Sequence, residues 1–329
     1  MNYKRNQSMT KKIMTTMLLV TLFGLTGCTL GRATPAQTDP AAGAAAEQKL
    51  KIVTTIFPQY DFARQVGGEY AEVTMLLKPG AETHSFEPTP QDMKAIQNAD
   101  LFIYVGGEND VWADSLLDSL GDQKPDTLKL LDCVATVEEE QVEGMQGGHA
   151  GHDPEADEHV WTSPVNAIRI VEKITAIMSE KDPAHADTFA ANSTAYQKEL
   201  EQLDADLGEA VRGGRRKVVL FGDRFPFRYL ADEYGLSYYA AFSGCSAETE
   251  ASAATVAFLI GKVKEEHLPV VFVMENSNGK IADSICEATG AQKLTLYSCH
   301  NQTKEQHQSN ATYLSMMQEN VESLRIALQ

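Results

Sequence analysis

Positive charge is scarce in this chain of 329 residues: 28 Lys and Arg stand against 46 Asp and Glu, for a net charge of −18. The first 27 residues hold Lys4, Arg5, Lys11 and Lys12 and no acid, so the remainder sits at −22. Nucleic-acid binding needs a basic face for the phosphates, and the balance argues against it. Acidity suits a protein that collects cations, although it serves solubility first. Also lacking is an apolar run of ordinary membrane-spanning length. Ile13 to Leu25 falls short of the roughly 20 residues required. There is no His-Glu-x-x-His, no Gly-x-Ser-x-Gly and no clear general base, which argues against a secreted metallohydrolase. No recognisable adhesive repeat supports an adhesin as the main role.

What is there begins with a targeting segment. Basic residues up to Lys12 precede the short apolar run, and Leu25-Thr26-Gly27-Cys28 follows. Small residues before a cysteine resemble a bacterial lipobox. Residues 1–27 are therefore expected to be a lipoprotein signal, with Cys28 lipidated. Residues 28–49, rich in Ala, Gly, Thr and Pro, read as a flexible tether. The folded part would then be lipid-anchored on the outer face of a bacterial membrane. Four further cysteines remain, and Cys245 and Cys299 both follow predicted strands in the second half. A disulfide between them is expected as readily as two free thiols.

From residue 50 onward the hydrophobic pattern alternates. Strand-like runs at Lys51–Phe57, Val73–Leu77, Ala99–Val105 and Thr127–Leu131 are separated by helical patterns, one capped by Thr89 with Pro90 at its first position. Such alternation implies parallel βαβ units. Tyr196, Leu200, Leu203, Leu207 and Val211 form an apolar stripe on a proline-free helix from about Ala184 to Arg212. Alternation then resumes, with strands expected at Lys217–Phe221, Ser237–Ala240, Val270–Met274 and Lys293–Tyr297. The expected fold is α/β: an N-terminal lobe over 50–182, a long linking helix over 183–213 and a C-terminal lobe over 214–329. Each lobe would hold a mostly parallel sheet flanked by helices, with a ligand cleft between the lobes.

Histidine chemistry points into that cleft. His159 stands among carboxylates in Asp157-Glu158-His159-Val160-Trp161, His84 follows a strand and a Pro79-Gly80 turn, and His300 follows the last strand. Three neutral imidazoles with a carboxylate or water make a tetrahedral site suited to Zn(II), whereas carboxylate-rich sites favour Mn(II). His149 and His152, in a Gly-rich acidic loop, read as an auxiliary collecting site or a solvated loop. His185, His267 and His307 read as solvated.

These motifs together resemble the zinc/manganese substrate-binding lipoproteins of ABC transporters, the ZnuA/TroA-like group. The similarity rests on Ile52–Pro58, His84-Ser85-Phe86-Glu87-Pro88, Asp157–Pro164, the long helix, Tyr234-Gly235-Leu236 and Phe272–Glu275. The resemblance implies two lobes bridged by a helix and one metal in the cleft, with His84 and His159 as ligands. It implies partnership with a permease and its ATPase, and no enzymatic activity; the alternatives are a Mn(II)- or Fe(II)-binding relative or a surface adhesin. A monomer is expected. The position that carries the family's third ligand holds Arg224, which cannot ligate a cation. His300 stands at the fourth. The expected set is thus His84, His159 and His300, completed by Asp223 or water, with Glu275 in reserve and more suited to accepting a supporting hydrogen bond.

Overall fold

The computed structural model describes residues 48–81, 86–146, 156–246, 248 and 250–329. Strand β1 (Leu50–Thr54) leads into helix α1 (Phe57–Gly67), then β2 (Ala71–Met75), α2 (Pro90–Gln97), β3 (Leu101–Tyr104), α3 (Val111–Leu120) and β4 (Asp126–Lys129). These strands form one parallel sheet in the order β2-β1-β3-β4. Two helices follow, α4 (Pro164–Lys181) and α5 (Ala186–Gly213). The second half runs through β5 (Val218–Phe225), α6 (Arg228–Tyr234), β6 (Ser237–Ser243), α7 (Ala253–Glu265), β7 (Val270–Val273), α8 (Lys280–Thr289) and β8 (Gln292–Thr295). Its sheet is again wholly parallel, in the order β6-β5-β7-β8. Helices α9 (Lys304–Gln308) and α10 (Tyr313–Leu328) close the chain.

The protein therefore has two α/β lobes of one topology joined by a long helix. In each, the first strand lies between the second and third, so the winding reverses beside it. Ligands in such sheets gather outside the strands' carboxyl ends at that reversal. Helix α5 bridges the halves because its stripe is continuous: Tyr196, Leu200, Leu203, Leu207 and Val211 are all buried. At 28 residues it spans about 40 Å. It packs against α4, α1 and α10, so the last helix returns to the bridge rather than staying within its own lobe.

Local chemistry sets the element ends. Thr89 caps α2 by accepting from Asp92 N, with Pro90 at the first position. Strand β1 stops at Thr54, earlier than the apolar run suggests. Gln59 reaches back so that its Oε1 accepts from Thr55 N (3.0 Å) and Ile56 N (3.2 Å), and Phe57 starts the helix. Strand β5 runs to Phe225, four residues beyond expectation, because a register shift between Phe221 and Arg224 lets it rejoin β6. Gly222 lies within that shift, where a Cβ would stand 2.6 Å from Ala282 Cα. Helix α9 has no apolar stripe and was not expected; a reciprocal cap between Thr303 and Gln306 makes it. His185, expected to be solvated, is not. It stacks on Tyr70 at 3.9 Å between ring centroids and pairs with Asp182 Oδ2 at 2.6 Å. Among the described residues no helix is long and apolar enough to cross a membrane.

Candidate metal centre

The loop entering α4 is polar yet buried, with Asp157, Glu158, His159, Thr162 and Ser163 all buried. Its backbone is tied down locally. His159 O accepts from Thr162 Oγ1 (2.8 Å) and Thr162 N (3.1 Å), while Ser163 caps α4 by accepting from Asn166 N. Trp161, fully buried, crosses to the other lobe and donates from Nε1 to Ser298 O at 2.8 Å. Tyr313, on the last helix, donates its hydroxyl to Trp161 O at 2.7 Å.

Asp157 sets the chemistry of the histidine. Its Oδ1 accepts from His159 N at 2.9 Å and lies 3.1 Å from His159 Nδ1. With a proton held at Nδ1, the Nε2 lone pair is left as the donor, the arrangement in which a carboxylate raises a ligand's basicity. Burial alone disfavours the imidazolium, yet Asp157, with Glu158 and Glu139 behind it, outweighs that, and the His159 pKa lies above its ordinary value. A glycine at 244 lets the loop after β6 approach the ring. A Cβ there would stand 3.0 Å from His159 Cε1 and from Phe225 O.

His300 reaches the same place from the other lobe. Its ring centroid lies 5.4 Å from that of His159 and 5.0 Å from that of Trp161, edge to face in both cases. The preceding residue, Cys299, takes φ +57°, a conformation that costs a non-glycine residue about 1–2 kcal/mol. Its neighbours supply compensation. Glu275 accepts from Ser298 N and Ser298 Oγ, both at 2.7 Å, and Ser298 Oγ in turn accepts from His300 N at 3.2 Å. His300 O accepts from Phe57 N (3.3 Å), and Asn301 donates to Lys78 O (2.9 Å) and Ala81 O (3.0 Å) across the lobes. Glu275 is buried, which raises its pKa, and Ser298 partly restores the carboxylate. Its geometry is that of a group positioning the His300 loop.

His159 and His300 thus face one interlobe cleft, lined also by Ala81, Arg224, Glu275 and Asn276. A second, smaller recess shares His300 and lies at the reversal of the first sheet, against Thr55, Phe86, Val105, Asp110, Trp112 and Glu158. Asp223, expected as a supplementary ligand, is not a wall of either cavity. Its Oδ1 accepts from Arg224 N (2.8 Å) and its Oδ2 from Met274 N (3.3 Å), binding β5 to the end of β7. His84, His149, His152 and Cys28 lie outside the described residues. Among the described residues no group of three or more His, Cys, Asp or Glu side chains is placed to hold a metal ion. Of the histidines expected as ligands, the described residues bring His159 and His300 together at the cleft.

The disulfide expected between Cys245 and Cys299 is absent, and all four described cysteines are free. Cys299 turns into the core, its thiol 3.9 Å from Tyr297 O, whereas Cys245 sits among Glu158, Asp157 and Glu139. Burial pushes both thiols well above their ordinary pKa.

Residues 52–327 match the family model ZnuA, described as zinc-uptake complex component A, periplasmic. The chain belongs to the ZnuA family. It is 35% identical over 282 residues to the zinc-binding lipoprotein AdcA of Streptococcus pneumoniae, covering 85% of this chain and 56% of AdcA. The chain thus spans little more than half the length of that relative. It is 32% identical to the high-affinity zinc uptake system protein ZnuA of Bacillus subtilis, covering 85% of this chain and 88% of that one. Among solved structures, the Zn(II)-bound ZnuA-like domain of S. pneumoniae AdcA superposes with a TM-score of 0.72 at 32% identity, over 85% of this chain and 99% of the domain.

Sequence reasoning missed the parts that hold the histidines still. Trp161 lies in the Asp157–Pro164 motif, but its bond to Ser298 carries no sequence signal. Asn301, which staples the His300 loop to Lys78 and Ala81, had none beyond adjacency.

Proposed function

We propose that this chain captures a divalent metal ion, Zn(II) before Mn(II), in the interlobe cleft outside the cell and passes it to the permease and ATPase of an ABC transporter. The observation that carries this reading is the meeting of His159 and His300 from different lobes at 5.4 Å, with Asp157 behind the first ring. Imidazole donors favour zinc; the carboxylate on the wall, Glu275, is engaged by Ser298, and a manganese site would draw on such oxygens. His84 completes the set in this proposal. The described residues on either side of its segment support that: Ala81 lines the His159–His300 cleft and Phe86 lines the cavity that shares His300. The zinc-binding names of the relatives point the same way.

The same reading takes Cys28 as a lipidated anchor site, the chain as a monomer, and residues 183–213 as the link between lobes of 50–182 and 214–329. The ion is cargo, so no catalytic role is assigned to any residue. Elemental analysis of protein purified without chelator, followed by zinc calorimetry on the wild type and His84→Ala, tests it. One equivalent of zinc and a large loss of affinity in the variant are expected. Unchanged affinity would remove His84 from the site, and the absence of any bound divalent metal would end the reading.

A further inference from the structure

One stretch of chain reaches both sides of the His159 ring. Residues 134–146 follow the first sheet in sequence, yet they lie against the C-terminal lobe. Gln146 bridges in parallel to Phe242 of β6, and its N donates to Ala241 O at 2.8 Å. Gly144 lies so close to α7 that a Cβ would stand 2.1 Å from the Phe258 ring, and it takes φ +83°. Close approach and backbone conformation both call for glycine there. Val137, Val142 and Met145 pack against the main core.

The first leg of this stretch holds Asp157. Val137 O accepts from Asp157 N at 2.9 Å, and Val137 N donates to Tyr229 Oη (3.4 Å), whose hydroxyl donates to Asp157 O (2.7 Å). The second leg holds the loop after β6. Glu139 Oε1 accepts from Cys245 N at 3.2 Å. Gln146 Oε1 accepts from Ser252 N, while its Nε2 donates to Glu250 O (3.2 Å) and to the Glu248 carboxylate. That loop carries Gly244, where a Cβ would stand 3.0 Å from His159 Cε1. Asp157 on the Nδ1 side and Gly244 on the Cε1 side are therefore both fixed by one segment.

An ion held by His159 leaves only as fast as the surroundings of that ring loosen. Loops of this kind open locally, with a free energy set by the hydrogen bonds that tie them down. Here one side chain, Gln146, makes three of those bonds. We propose that residues 134–146 are a strap that sets how long the cleft retains its metal, with Gln146 a positioning residue acting on His159 through the loop after β6. The proposal rests on the metal-capture reading above and names what governs release from that site.

The test loads the full chain with one equivalent of Zn(II) and follows zinc release into excess chelator, at concentrations where the rate no longer depends on chelator. Association is timed separately with a zinc indicator, and melting of the metal-free chain is recorded alongside. Gln146→Ala should release zinc about tenfold faster, with association within about twofold of wild type. A lower melting temperature with wild-type release would assign Gln146 to stability alone and overturn the proposal, leaving metal capture standing. Affinity lost wholly through slower association overturns it as well. A wild-type chain that binds no zinc removes the metal-capture reading, and the proposal with it. Should Gln146→Ala not fold, as judged by circular dichroism, Gln146→Glu decides. It keeps the Oε1 acceptor and loses both Nε2 bonds, so faster release is expected; release at the wild-type rate overturns the strap.

Discussion

The two lobes share one strand order but use the crevice at its reversal differently. In the N-terminal lobe the crevice beside β1 is mostly apolar, with Val105, Phe86 and Trp112 on its walls and the acids Asp110 and Glu158 behind. In the C-terminal lobe the crevice beside β5 is polar, lined by Arg224, Glu275, Asn276 and Ser298, and it opens onto both imidazoles. Topology chose where a ligand can sit; the loops chose what the place can hold. His300 belongs to both cavities, so the comparison turns on that residue.

The sharpest way to break the comparison is to remove a donor. His159→Ala or His300→Ala should weaken zinc binding by more than about 100-fold, beyond what loss of a supporting residue produces. Competition against a chelator of known affinity measures this, and a loss below tenfold would show that the two rings do not share an ion. Next comes the supporting carboxylate. Asp157→Asn should cost about 10- to 100-fold in zinc affinity. It should also move the pH at which zinc is lost. Protons compete with zinc for His159, and the raised pKa means the wild type begins to lose zinc at a higher pH than an ordinary imidazole site would. Removing the Asp157 charge should move that fall to lower pH, as seen by calorimetry across a pH series. A fall that does not move would remove Asp157 from control of the ring.

The N-terminal crevice should answer differently. Burial holds Asp110 protonated up to about pH 6, against its bonds from Gly106 N and Val105 N, while in the unfolded chain the group ionises near 3.8. The folded state therefore binds more protons between those values, and this group's contribution to stability falls as pH rises from about 4 to 6. Asp110→Asn should remove about 2–3 kcal/mol of that pH dependence and leave zinc affinity nearly unchanged. Denaturant unfolding at the two ends of the window measures it; an unaltered pH slope would mean the carboxyl is not held protonated. The smallest effect expected is at the seam. Trp161→Phe keeps an aromatic ring but loses the Nε1 bond to Ser298 O, worth about 1 kcal/mol, together with the packing of the larger indole. A melting temperature equal to the wild type's would mean that bond adds nothing.

Much of the fold was legible because hydrophobic period and turn chemistry are local. The α5 stripe, the Thr89–Pro90 helix start and eight strands in parallel alternation could be read residue by residue. What escaped was non-local or locally disfavoured. Strand β5 extends through a register shift that depends on Ala282 packing against Gly222, sixty residues away in sequence. His185 looked like a surface residue until Tyr70 came to stack on it. The pairing expected of Cys245 and Cys299 rested on both following strands, and a shared position after a strand does not make two thiols face each other.

The sequence by itself determined two lobes of parallel βαβ units, the bridging helix, and which histidines follow strands toward a cleft, because period, caps and strand ends are written in neighbouring residues. Tertiary structure alone decided that His159 and His300 meet, that Asp157 stands behind one ring, and that Asp223 and Glu275 are spent on backbone and Ser298. It also decided that Arg224 faces the cleft. Those outcomes depend on contacts across the lobe seam, through Trp161, Ser298 and Asn301, and a contact between distant residues becomes visible only when the chain has closed on itself.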